Sequence, residues 1–330
     1  MERVYMGTMP ATWMSSKRIK TITFSVTDDC NLACTYCYFL HKNSCHKMTF
    51  TVAKNAVDYI LADPSFQVYD GVVWDFIGGE PTLEIDLITK ICDYIVETMY
   101  DIDHKWLYCY KFMIGTNGLL YSDNRVQSLI QRYNRNLQVS ITIDGSKKKH
   151  DLSRIKKDGS GSYDIVVSQI PLWLEQQGAF TTKATFAHAD IPFLKESIIN
   201  LWNLGISNVM ANVVFENCWQ ENDADIFEAQ LKSLADYIIE NELWDKVSVR
   251  FFDPDIGHPI NKNQENQNFC GAGDMLTIDS DGIFYPCVRF MDSALDDKKG
   301  WEIGNVKDGI DPDRLRAFYA IDTIAQSSEK

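Results

Sequence analysis

At 330 residues, with 45% hydrophobic and 24% charged side chains, the chain can bury the core of one large domain or of one domain with a small appendage. No apolar stretch approaches the ~20 residues of a membrane span, and residues 1–20 lack the apolar segment of a signal peptide, so the expected location is the cytoplasm. A net charge of −14 disfavours nucleic acid as a partner, because phosphate binding needs a basic surface.

Apolar, β-branched runs predict strands at 21–26, 72–77, 111–116, 137–143, 181–187 and 208–214. Between and after them, apolar spacings of three and four predict helices at 50–61, 83–99, 124–131, 163–177, 194–204 and 224–241. Six such repeats imply an α/β fold of parallel strands joined by right-handed crossovers. A doubly wound sheet would announce itself by a Gly-rich first turn; here the first strand runs into a cysteine loop instead. Lys147, Lys148, Lys149, Arg154, Lys156 and Lys157 form a local basic run, open to reading as a patch or as a solvated loop. Beyond 241 the pattern turns to short strands, with one expected at 246–252 and a hairpin at 275–278 and 283–285 around Asp279-Ser280-Asp281-Gly282. The Asn- and Gln-rich stretch 261–268 is expected as a polar loop, and a domain boundary is expected near 242.

Three of the nine cysteines, Cys30, Cys34 and Cys37, crowd into one Cys-x3-Cys-x2-Cys run. Three thiolates so close together fit metal binding in a reducing compartment better than disulfides. They could hold a 4Fe–4S cluster with one iron left open. A zinc site is the alternative, for which His41, Cys45 or His46 could supply the fourth ligand. Gly78-Gly79-Glu80-Pro81, Asn117-Gly118 and Asp144-Gly145 follow the second, third and fourth predicted strands. In barrels, chemistry gathers at those strand ends.

The cysteine run, followed by Tyr38 and Phe39, together with the Gly-Gly-Glu-Pro run and the stretch from Ser140 through Asp144 to Arg154, resembles the radical S-adenosylmethionine (radical SAM) enzymes. The resemblance is to the branch of anaerobic sulfatase-maturating enzymes and thioether-forming peptide maturases. It implies a partial (β/α)6 TIM-like barrel over 18–241 and a smaller SPASM/twitch-like α+β module over 242–330. By it, Cys30, Cys34 and Cys37 hold a 4Fe–4S cluster whose open iron takes the methionine end of SAM. Gly78, Gly79, Glu80 and Pro81 meet the SAM amino group; Asn117 and Asp144 stand on the same rim. Tyr36 lies against the adenine or packs the loop, Thr142 contacts the ribose or methionine, Arg154 pairs with the carboxylate, and Val214 packs the adenine. The chemistry implied is reductive cleavage of SAM to a 5′-deoxyadenosyl radical that abstracts a substrate hydrogen.

Cys270 and Cys287 enclose Gly282 as Cys-x11-Gly-x4-Cys, with Ile303-Gly304-Asn305 beyond, which resembles the opening half of a SPASM domain and implies an auxiliary 4Fe–4S cluster. No cysteine follows Cys287, so that module is expected to be incomplete. Cys218 is a candidate extra ligand or a buried thiol; Cys45, Cys92 and Cys109 are expected to pack. Sulfatase maturases place an Asp after the Tyr-Pro-Cys run, whereas Val288 stands here. That departure favours thioether or carbon–carbon crosslinking over formylglycine formation; the expected activity is crosslinking or oxidation of a ribosomally made, Cys-rich precursor peptide, and the expected electron donor is flavodoxin or ferredoxin. A twitch-type enzyme acting on a small molecule or cofactor precursor, and a non-catalytic metal or Fe–S protein, are the alternatives.

Overall fold

The structure, a computed structural model, describes residues 18–42, 45–178, 181–253, 271–294 and 299–319. Cys270 and the 261–268 stretch lie outside the described residues.

The predicted alternation is present. Strands β1 (Ile19–Ser25), β2 (Gly71–Ile77), β3 (Tyr110–Thr116), β4 (Leu137–Ile141), β5 (Thr181–Phe186) and β6 (Asn208–Val213) are separated by helices α1 (Phe50–Ala62), α2 (Ile85–Asp101), α3 (Asn124–Tyr133), α4 (Lys147–Ser153), α5 (Tyr163–Gln177) and α6 (Leu194–Asn203). Helix α7 (Asp223–Glu240) follows β6. Local chemistry sets several boundaries. The Thr49 hydroxyl caps α1 by accepting from Val52 N, and Asp123 caps α3 by accepting from Arg125 N. Helix α5 stops where Gly178 turns left-handed.

Strands β1 to β4 pair in parallel and in order. Beyond β4 the main-chain ladder breaks, and β5, β6 and the two-residue β7 (Ser248–Val249) form a second parallel set. Side chains bridge the gap; among them, the Thr182 hydroxyl accepts from Ile143 N at 3.1 Å and donates to Ile141 O at 2.7 Å. The strand expected at 246–252 thus shrinks to β7, because the chain turns into a 3-10 helix at Arg250–Phe252.

Side chains alternate across a strand with period two, and the two faces here differ sharply. Ile22, Phe24, Trp74, Phe76, Phe112 and Ile114 are at most 1% exposed and belong to one core with the helices. Phe24 stacks on Trp74 at 6.1 Å and on Phe76 at 5.8 Å between ring centres. Burying side chains of this size contributes roughly 1.5–3 kcal/mol each. The opposite face carries Thr23, Ser25, Asp75, Lys111, Gln138, Ser140, Thr142, Lys183 and Thr185. An ordinary closed barrel fills that interior with branched apolar residues; this one is lined with polar groups.

The C-terminal segment joins the same sheet. Strand β8 (Leu276–Ile278) pairs in parallel with β1, and β9 (Ile283–Tyr285) folds back on it as the predicted hairpin. Strands β10 (Gly304–Asn305) and β11 (Gly309–Ile310) extend the edge, and α8 (Pro312–Tyr319) follows. No described helix is long and apolar enough to cross a membrane.

Candidate active site

The cysteine loop is built onto the rim at the strand ends from two sides. On one side Gly79 N donates to Thr27 O and Glu80 N to Asp29 O, both at 2.8 Å. These contacts explain the glycines. A Cβ on Gly78, whose φ is +153°, would stand 2.3 Å from Thr27 O, and one on Gly79 would stand 2.2 Å from Asp29 O. On the other side Ala33 N donates to Ile155 O at 2.7 Å and Thr35 N to Ser153 O at 3.0 Å. The loop is thereby fixed between the end of β2 and the segment after α4.

Glu80 is 1% exposed and clamps two strand ends together. One carboxylate oxygen accepts from Thr82 N and from the hydroxyls of Thr82 and Thr116; the other accepts from Asn117 N at 2.8 Å. Asn117 Nδ2 in turn donates to Asn31 Oδ1 in the cysteine loop at 2.6 Å. Pro81 opens a 3-10 turn directly after Glu80. Glu80 and Asn117 therefore shape the rim through bonds within the protein.

Among the thiols, Cys30 is 5% exposed and its sulfur accepts Leu32 N at 3.4 Å. Burial pushes the Cys30 thiol up to about 11 and raises Cys34 as well, against the lowering charge of Arg154 beside Cys34. Both are therefore thiols in the bare protein, and a metal's charge would be needed to hold them as thiolates. Cys34 lies within electrostatic range of both Cys30 and Cys37. Among the described residues no three His, Cys, Asp or Glu side chains converge on a point fit for a single metal ion.

The remaining wall comes from β4 and α4. Asp144 is fully buried; it accepts the Tyr36 hydroxyl at Oδ2 and Thr185 N at Oδ1, 3.2 Å away. Arg154 Nη1 donates to the Tyr36 hydroxyl at 2.9 Å, while Arg154 Nε is buried with no partner. Burial opposes ionisation of Asp144, but the charges of Lys149 and Arg154 hold its carboxyl below the ordinary range. His150 completes the corner. Its Nδ1 accepts Asp144 N at 3.3 Å and its Nε2 faces the Ser162 hydroxyl, which donates to Arg154 O at 2.6 Å. Burial drives the His150 pKa down to about 4, so the ring is neutral. Thr142 N donates to Thr116 O at 2.9 Å, and its side chain falls on the lumen face, half-buried. Val214, 7% exposed, ends β6 across the lumen, where its carbonyl accepts Trp219 Nε1.

Several expectations need correction. Of the basic run only Lys147, Lys148 and Lys149 fall in helix α4, where Lys149 is wholly buried; Lys156 and Lys157 lie in the segment after it. Lys147 pairs with Asp164, Lys148 lies over the Phe193 ring, and Lys157 pairs with Asp29 at 2.8 Å. Tyr36 is held through its hydroxyl by Asp144 and Arg154, which makes it a tie between loop and β4 whatever its ring faces. Cys45 is exposed rather than packed, whereas Cys92 and Cys109 are buried as expected. Cys218 is half-exposed in the loop after β6, not buried. Cys287 lies half-buried against the core, and Arg289 two residues on sits 5.3 Å above the Tyr38 ring while pairing with Glu216. The sequence reading overlooked Lys149, Ser162 and Asp190, because their roles come from contacts distant in the chain.

No protein-family model matches the chain. Over 191 residues it is 28% identical to an uncharacterized protein of Methanocaldococcus jannaschii, covering 58% of this chain and 61% of that protein. It is 24% identical over 290 residues to the cysteine-type anaerobic sulfatase-maturating enzyme of Clostridium novyi, covering 83% of this chain and 75% of that enzyme. The structure of anSMEcpe with bound AdoMet and the Kp18Cys peptide superimposes with a TM-score of 0.67 at 21% identity, over 90% of this chain and 80% of that one. Streptococcus suis SuiB bound to its precursor peptide SuiA gives 0.60 at 14% identity, over 92% and 65%. The fold is thus the parallel-stranded α/β scaffold seen in anSMEcpe and SuiB. By sequence the chain is similar to the cysteine-type anaerobic sulfatase-maturating enzyme, and by fold to SuiB.

Proposed function

We propose that this protein is a radical SAM enzyme that modifies a ribosomally made peptide. The observation that carries the reading is the rim itself. A three-cysteine loop is locked beside Arg154, a buried guanidinium whose Nε–H has no partner. The donor set fits the two missing groups. Three thiols suit a 4Fe–4S cluster with an open iron, and the unmet Nε–H suits the carboxylate of SAM, since Arg–carboxylate bonds are charge-assisted. Bound there, cluster and SAM would supply one-electron cleavage of SAM and a radical able to take a hydrogen atom from substrate.

The chain's own residues do the rest. Cys30, Cys34 and Cys37 would ligate the cluster. Glu80 and Asn117 hold the loop to β2 and β3, so that ligands and rim keep one geometry. Gly78 and Gly79 let the β2 end approach the loop, and Thr142 and Val214 stand on the lumen side where SAM would lie. Substrate would enter the polar interior below, walled by Asp75 and Lys183, with Arg289 and Tyr38 at its mouth. An auxiliary cluster at Cys287 would need Cys270 and further ligands.

A peptide substrate is supported by the complexes of the structural relatives, both solved with peptides. The test is co-expression with a short cysteine-containing open reading frame encoded beside this one. A product lighter by two hydrogens is expected in the mass spectrum. Unmodified peptide, with SAM still cleaved by the purified enzyme, would move the reading to a small-molecule substrate.

A further inference from the structure

We propose that Lys149 is a positioning residue for SAM: by neutralising Asp144 from beneath, it leaves Arg154 available to the SAM carboxylate. The inference rests on the SAM reading above and concerns residues of this chain alone. Lys149 is 0% exposed. Its Nζ lies 3.3 Å from Asp144 Oδ2 and 3.5 Å from Asp190 Oδ2, and it donates to Thr185 O. The same ammonium stands 4.6 Å over the Phe186 ring and 5.7 Å over the Tyr36 ring. An ammonium is costly to bury unless every donor is matched, and here two carboxylates and a carbonyl match it.

The two carboxylates are not equivalent. Asp190 is held by bonds of its own, accepting Ala187 N at 2.5 Å and the Ser153 hydroxyl at 3.1 Å. Asp144 faces the rim and shares the Tyr36 hydroxyl with Arg154. Burial raises the Asp190 carboxyl, whereas Lys149 and Arg154 together keep Asp144 ionised despite its burial. Two cations therefore compete for one buried carboxylate. With Lys149 in place, Arg154 keeps Nε uncommitted. Without it, the lone buried charge of Asp144 would draw Arg154 inward, since an unpaired buried carboxylate is the costlier state.

The experiment uses the reconstituted protein, SAM as the probe, and four variants. Iron content and SAM dissociation constant are read together, with the KM for SAM separated from kcat. Wild type binds SAM, and Lys149→Met binds it ~10-fold more weakly, the worth of one charge-assisted bond, with iron content unchanged. Asp190→Asn loses thermal stability yet binds SAM as wild type does, which separates positioning from mere structural support. Lys149→Met in the Asp144→Asn background buries no lone charge; there the lysine change alters SAM affinity by less than ~2-fold, because its target is gone. That pair of Asp144→Asn backgrounds decides the matter even where Lys149→Met alone does not fold. Wild-type affinity in Lys149→Met, or a tenfold loss that persists in the Asp144→Asn background, would overturn the proposal. Failure of the wild type to bind SAM at all would overturn the SAM reading, and this inference with it.

Discussion

Asp75 illustrates how a single side chain departs from what its strand requires. Its neighbours Trp74 and Phe76 are fully buried against the helices, while Asp75 points into the lumen with only a long contact from the Thr23 hydroxyl, 3.4 Å away. Burial raises its carboxyl from 3.8 to about 6, partly offset by the charge of Lys183 across the lumen. A raised carboxyl means that the folded state holds its proton longer than the unfolded chain. The stability cost is therefore absent below the unfolded value and grows as pH rises from 3.8 to about 6. Asp75→Asn is expected to match the wild type near pH ~3 and to exceed it by about 3 kcal/mol near pH ~8, read from denaturant unfolding of the cluster-free protein. A difference that does not change with pH would mean that Asp75 is not the group responsible. The residue scale is also where the sequence was least readable. Cys30, Cys34, Cys37, Gly78, Gly79 and Arg154 stand out by local spacing, and the structure brings them to one rim. Lys149 looked like its solvated neighbours, because nothing nearby in the chain reveals that Asp190 waits beneath it.

At the scale of elements, periodicity carried most of the information. Strand and helix patterns placed all six strands from β1 to β6 and every helix from α1 to α7 except α4, since each strand buries alternate residues against amphipathic helices. Ends were harder. Strand β4 closes at Ile141 rather than 143, where Thr142 and Ile143 turn to bond with Thr116 and Thr182. The run at 246–252 reads as a strand by composition, yet only Ser248 and Val249 find a partner in β6. Helix α4 was missed because three consecutive lysines give no amphipathic signature over so short a length. The contact of the β2 end with the cysteine loop carries a direct prediction. Gly79→Ala would set a Cβ 2.2 Å from Asp29 O and 2.6 Å from Asp29 C, which only a shift of the loop can relieve. Iron incorporation in anaerobic reconstitution should fall by more than half, while the far-ultraviolet circular dichroism stays that of the wild type. Full incorporation in Gly79→Ala would show that the loop is not locked through this approach.

For the molecule as a whole, what the sequence could not disclose is how its two parts meet. The hairpin of β8 and β9 was legible from its turn, but its parallel pairing with β1 joins segments some 250 residues apart, and no local pattern encodes such a partner. That pairing carries the segment around Cys287 to the same end of the barrel as the cysteine loop, with Tyr38 near both Cys37 and Cys287. The rim with its three thiols and the Arg154 guanidinium thus lies beside the C-terminal sheet extension. The most direct measurement is 5′-deoxyadenosine formed by the anaerobically reconstituted protein with SAM and dithionite, compared with Cys34→Ala and Cys287→Ala. The account predicts product from wild type, none from Cys34→Ala, and retained product from Cys287→Ala. No 5′-deoxyadenosine from an iron-loaded wild type, or equal loss in both variants, would contradict it.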